Sequence, residues 1–178
     1  DWRSDVCSSD LKGSEVLADS KFKSQFLIWH EKFQPWITLL VRIGLGSVLI
    51  IAGGLKAVNP QKSAMAVRAY EVLPIPVANF FGFVLPWSEI AIGLLLILGA
   101  FVRVAGLLSA AIMLLFILAI SQAGLRGLNI DCGCFGGGGK VAEGETKYLA
   151  EIFRDIGFML MGLYAYRFPR GKFGIDKI

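Results

Sequence analysis

The sequence predicts an all-α fold, an integral membrane four-helix bundle preceded by a short N-terminal amphipathic helix. Three observations carry that expectation. The 178 residues are 55% hydrophobic and only 18% charged, mean hydropathy is +0.63, and the apolar residues gather into four stretches long enough to cross hydrocarbon. A spanning helix needs about 20 such residues for roughly 30 Å. A soluble domain carries about 25% charged residues, and four apolar stretches in so short a chain leave too little polar sequence to cover them. Disordered, collagenous and coiled-coil classes are excluded, since the chain is apolar, has no glycine period and shows no sustained heptads. The net charge of +4 comes from basic residues scattered singly, which argues against a nucleic-acid surface and fits membrane orientation.

The elements follow in order. Residues 1–11, DWRSDVCSSDL, resemble the translation of a short-read sequencing adapter, differing at Arg3, and stand outside the fold, so Cys7 is not counted as a functional thiol. Residues 12–34 form a cytoplasmic amphipathic segment. In it Phe22, Phe26, Trp29 and Phe33 recur at helical spacing beside Lys21, Lys23 and Lys32, the pattern of a helix lying on an anionic membrane surface.

Residues 35–167 form the four-helix transmembrane domain. The first span, residues 36–55, is opened by Pro35 and broken only by Arg42. After Asn59-Pro60 a short helix runs through Ala64, Val67 and Tyr70 and is stopped by Pro74 and Pro76, expected to lie across the outer mouth of the bundle. The second span, residues 76–101, has Glu89 as its only charge, and the third, residues 104–124, has none. The fourth, residues 148–166, carries Glu151, Arg154 and Asp155 near its start. Gly44, Gly46, Gly53, Gly54, Gly93 and Gly106 are expected to permit close helix approach. Residues 168–178 are a basic cytoplasmic tail.

Orientation follows from Lys and Arg in the short flanks. Nine such residues (Lys12, Lys21, Lys23, Lys32, Arg103, Arg167, Arg170, Lys172, Lys177) lie on the side of the termini and the second connection, against six (Lys56, Lys62, Arg68, Arg126, Lys140, Lys147) in the first and third connections. Both termini are therefore expected to be cytoplasmic, in a bacterial inner membrane, with the first and third connections outside.

The third connection holds Asp131-Cys132-Gly133-Cys134-Phe135 and then four glycines. Two cysteines two positions apart can close a small strained ring, and Gly133 between them is the residue that best permits its backbone. Strain favours an exchanging bond over a structural staple, and so short a loop removes little unfolded-state entropy. A redox-active dithiol, a metal site and an inert pair are the three readings. A closed zinc or iron-sulfur site wants four ligands, and the only histidine, His30, lies before the first span, so no metal is expected. A second cluster consists of charges at membrane depth. Glu89 must be paired, protonated or hydrated there, with Arg42, Lys56, Arg154 and Asp155 as available partners. Arg154 is the expected one, while Arg42 and Arg154 lie near span ends where they can snorkel.

These pieces together resemble the MauE group of the DoxX-like membrane proteins. The matching residues are Ala52-Gly53-Gly54-Leu55-Lys56 with Asn59-Pro60, Tyr70 with Leu73-Pro74, Leu85-Pro86-Trp87-Ser88-Glu89, Asp131-Cys132-Gly133-Cys134-Phe135-Gly136, and Arg154-Asp155. Family members often carry Asn where this chain has Asp155. The resemblance spans roughly residues 35–166 and implies a redox-associated protein that helps make or maintain disulfides in exported proteins, as MauE is linked to maturation of the disulfide-rich subunit of methylamine dehydrogenase. It implies an exported thioredoxin-like protein or disulfide-containing client as partner besides the lipid bilayer and, by analogy with quinone-linked disulfide generators such as DsbB, a membrane quinone as electron carrier.

The expected activity is thiol-disulfide exchange at Cys132 and Cys134, with Asp131, Glu89, Arg154, Asp155, Lys56 and Arg42 as supporting polar residues. Two other classes are weighed against it. A non-catalytic assembly scaffold would use the cysteines only to lock the loop, and a small-molecule transporter would use Glu89 as its coupling carboxylate.

Overall fold

The computed structural model describes residues 33–128, 130–131, 139–140, 148–169, 171 and 174. Among these, α1 covers Phe33–Val58, followed by α2 Pro60–Ala69, α3 Ile75–Leu98, α4 Val102–Leu125, β1 Ile130–Asp131, β2 Gly139–Lys140 and α5 Tyr148–Arg167. The amphipathic segment expected at residues 12–34 lies outside the described residues except for its last two positions, which belong to α1.

Local chemistry sets the breaks. Asn59 leaves the helical region at φ −130° and ψ 72°, and Pro60 opens α2, where its missing N–H costs nothing. Glu71 takes a positive φ of 52°, and Pro74 and Pro76 bracket the start of α3. Gly99 ends α3 in the left-handed conformation at φ 69°, its N–H donating to the Leu95 carbonyl. Three residues later, at Val102, α4 begins, so α3 and α4 form a tight antiparallel hairpin.

The helices approach through small residues. A Cβ on Gly46 would meet the Gly93 carbonyl oxygen at 2.8 Å, and one on Gly53 would meet the Pro86 carbonyl oxygen at 2.6 Å. These two contacts fix α1 against α3. On the other side, Gly106 and Gly162 set the α4–α5 crossing: a Cβ on Gly106 would lie 2.8 Å from the Gly162 carbonyl oxygen. Gly54 departs from expectation. No atom lies within 4 Å of its would-be Cβ, because it faces away from the seam that Gly53 occupies.

Pro86 sits inside α3 and is buried. It has no N–H for the carbonyl of Gly82, four residues earlier. That carbonyl accepts instead from Ser63 Oγ at 2.8 Å, which seats α2 on the first turns of α3. The core between the long helices is built from Leu45, Leu49, Ile92, Leu96, Ala105 and Met113.

Large apolar residues also stand on the outside, including Leu40, Ile51, Phe80, Trp87, Leu115 and Leu118. Such a shell would be an aggregation hazard in water and is the ordinary lipid face of a bundle. α1, α3 and α4 are each long and apolar enough to cross a membrane. α5 lies along α4 and carries Glu151, Arg154 and Asp155 in its first two turns, where Asp155 turns inward and is 1% exposed. The chain is a helical, multi-pass membrane protein.

Candidate functional site

One end of the bundle carries both odd connections. β1 and β2 pair antiparallel, Ile130 opposite Lys140 and Asp131 opposite Gly139, and β2 lies against α2. The first and third connections therefore share an end, as the intervening pair α3 and α4 requires. Ile130 is buried with Ala69 and Tyr70 at the end of α2 and with Ile120 and Ala123 of α4. Tyr148 Oη donates to the Leu128 carbonyl, so the start of α5 is tied to the residues before the hairpin. Arg126 donates to the Glu71 carbonyl at 3.3 Å, tying the end of α4 to the segment after α2. Cys132 and Cys134 lie between the two strands and outside the described residues. What is placed is the hairpin base that carries them.

A second set of residues meets at membrane depth. Lys56 Nζ lies 2.6 Å from Glu89 Oε1, with 6% and 1% of the two side chains exposed. The same ammonium stands 5.0 Å from the ring centre of Phe116 on α4, a favourable place for a desolvated cation. This arrangement follows from the glycine seam. With Gly53 against Pro86, Lys56 and Glu89 each lie one turn further along their helices, and the lysine stem points back toward the start of α1 as helical side chains do.

The expected Glu89–Arg154 pair is corrected here. Arg154 Nε and Nη2 both lie 3.0 Å from Asp155 Oδ1, because Arg154 leaves α5 toward the outside, 30% exposed, while Asp155 points inward at 2%. Four helices contribute to one small cavity of about 20 Å³: Ala52 and Lys56 from α1, Glu89 from α3, Met113 and Phe116 from α4, Asp155 from α5. Glu89 Oε2 and Asp155 Oδ2 are buried there without a hydrogen-bond partner.

Arg42 is also corrected. It is 2% exposed rather than snorkelling, and its Nε donates to the Leu96 carbonyl at 2.9 Å. Leu96 is in the last turn of α3, whose carbonyls have no partner within the helix and attract positive charge. Thr38 Oγ1, one turn earlier, donates to the Phe168 carbonyl just past α5 at 3.2 Å. Arg42 thus closes the end of the bundle opposite the hairpin and takes no part in the Lys56–Glu89 cluster.

Sequence reasoning missed Phe116 and Met113, since nothing in the uncharged run of α4 distinguishes them from lipid-facing neighbours. Ala52 was legible only as part of the run ending at Lys56.

The family model for methylamine utilisation protein MauE matches residues 34–168. The chain is 32% identical over 106 residues to the methylamine utilization protein MauE of Paracoccus denitrificans, covering 59% of this chain and 57% of that protein. It is 35% identical over 108 residues to the protein of the same name from Methylorubrum extorquens, covering 60% of this chain and 58% of the relative. The chain therefore matches under two thirds of the length of these relatives. No solved structure matches it at a significant level. With Lys56, Glu89, Asp131 and Asp155 all inside the matched region, the chain belongs to the MauE family of membrane proteins.

Proposed function

We propose that this protein supports disulfide formation or maturation of exported proteins, by thiol-disulfide exchange at Cys132 and Cys134 on the outer face of a bacterial cytoplasmic membrane. The observation that supports the reading is the strand register: Ile130 pairs opposite Lys140 and Asp131 opposite Gly139, and the second of these strands lies against α2. A dithiol in the connection that follows Ile130, itself buried with Tyr70 and Ile120, would meet partners in the aqueous phase. The names of the two relatives support a part in methylamine utilisation.

A single exchange balances between the partner dithiol and the Cys132–Cys134 disulfide, and a further round requires a two-electron acceptor such as a membrane quinone to re-form that disulfide. A thiolate of a thioredoxin-like partner attacks one sulfur of the Cys132–Cys134 disulfide, forming a mixed disulfide and releasing the other cysteine as thiolate. The partner's second thiol then resolves it, so the partner gains the disulfide and this chain keeps the two electrons as a dithiol. A quinone ring does not fit the cavity of about 20 Å³, and no step is routed through a quinone held by these residues. Lys56 and Glu89 tie α1 to α3.

Single-cysteine variants test the reading. With Cys7→Ser as background, Cys132→Ser or Cys134→Ser is expected to trap an exported protein as a mixed disulfide that a reductant releases. Partner binding that persists in both variants with no covalent adduct, and with the partner's redox state unchanged, overturns the exchange mechanism and leaves an assembly scaffold.

A further inference from the structure

We propose that the exposed face of α2 is the docking surface for the exchange partner, and that this partner presents Asp and Glu side chains around its reactive thiols. The role depends on thiol-disulfide exchange taking place at Cys132 and Cys134. α2 has two unlike faces. Ser63, Ala64, Ala66 and Ala69 are buried: Ser63 donates to the Gly82 carbonyl, and a Cβ on Gly82 would meet the Ala64 backbone nitrogen at 2.8 Å. Gln61, Lys62, Met65 and Arg68 are exposed, and spacings of three and four residues put them on one side of the helix.

That side is positive and uncompensated. Residues 57–70 contain no Asp or Glu, and neither Lys62 nor Arg68 meets a carboxylate among the described residues. Glu71, the next acid along the chain, is taken by Arg126 at 3.7 Å. The third connection adds no positive surplus, with Lys140 and Lys147 against Asp131, Glu143 and Glu145. The two α2 cations therefore set the local sign, and exposed unpaired cations steer an acidic partner in and turn a basic one away.

Place and polarity favour a protein over lipid. β2, the strand that follows the cysteines, lies against α2, so a partner whose thiol reaches the connection arrives beside this helix. A helix lying in a membrane surface turns its apolar face to the acyl chains, whereas α2 spends its alanines on α3 and shows Gln61, Lys62 and Arg68 outward. Met65, 52% exposed and set between the two charges on that face, offers an adaptable apolar contact.

Single-turnover oxidation of three synthetic peptides tests it. The peptides share one pair of cysteines, flanked by Glu, Ser or Lys, and each is added reduced to the oxidised Cys7→Ser protein in phosphatidylcholine nanodiscs. Each rate is divided by that peptide's rate with hydroxyethyl disulfide, which removes the effect of the flanks on thiol reactivity. The Glu peptide is expected to lead the Lys peptide by about tenfold at low salt, and the gap should close at high salt. Lys62→Gln with Arg68→Gln should bring the three rates together, and Lys62→Glu with Arg68→Glu should reverse their order. Equal rates in the wild type, or a Glu preference that survives both double variants, overturn the docking face and leave exchange standing. Equal rates with phosphatidylglycerol that co-purifies with the wild type and not with the Gln double variant assign the face to lipid headgroups instead. Oxidation of none of the peptides removes the exchange reading and this role together.

Discussion

The Lys56 ammonium and the Glu89 carboxylate meet 2.6 Å apart between α1 and α3, almost wholly removed from solvent. Removing one partner leaves an uncompensated charge in a low-dielectric interior, whereas removing both leaves apolar packing. Glu89→Gln or Lys56→Met alone is therefore expected to cost about 3–5 kcal/mol. The double variant Lys56→Met with Glu89→Leu should recover most of that loss. Thermal unfolding in detergent, followed by circular dichroism, measures the cycle, and two additive losses would show that the pair is not coupled.

Gly53 and Gly54 make a matched comparison. A Cβ on Gly53 would strike the Pro86 carbonyl oxygen, while one on Gly54 would meet nothing. Gly53→Ala should destabilise the α1–α3 seam and displace Lys56 from Glu89. Gly54→Ala should be neutral or stabilise by about 0.5–1 kcal/mol, since alanine is the better helix former. The same melts distinguish them, and equal effects would contradict the placement of the seam.

Ser63 and Pro86 are coupled through a carbonyl that neither owns. Ser63→Ala leaves the Gly82 oxygen without its donor and should cost about 1–3 kcal/mol. Pro86→Ala restores a backbone N–H to that oxygen, so Ser63→Ala should cost less in that background. A double-mutant cycle reads the difference.

At the opposite end, Arg42 fills the space beside Gly99 that a side chain would need. Gly99 also holds φ at 69°, which costs a non-glycine residue about 1–3 kcal/mol. Gly99→Ala should therefore exceed that cost in the wild type, because the Arg42 guanidinium must move. It should fall back toward it when Arg42 is replaced by alanine.

The breaks at Asn59-Pro60, Pro74 and Pro76 were legible because asparagine and proline punctuate them, whereas the second span, expected to run to residue 101, ends at Leu98 because Gly99 turns left-handed. The pairing of charges was not legible. Glu89 has Arg42, Lys56 and Arg154 within the same bundle, and the choice rests on the antiparallel register that Gly46, Gly53, Gly93 and Pro86 impose together. Hydropathy cannot separate Gly53 from Gly54, which differ only in the direction they face. Arg42 read as a snorkelling residue because its position near a span end is visible in the sequence, whereas the open carbonyls of α3 beside it are not. The hairpin base was also hidden, since Ile130 and Lys140 pair across residues too short and glycine-rich to show a strand pattern.

The central claim is that Cys132 and Cys134 form an exchangeable pair at the hairpin end. The direct measurement equilibrates the purified Cys7→Ser protein in glutathione redox buffers and counts free thiols by mass-tagged alkylation. A reversible midpoint well above about −300 mV, beyond the range of structural disulfides in secreted proteins, is the expected result. Thiols that stay oxidised across every buffer, or that never pair, would contradict it.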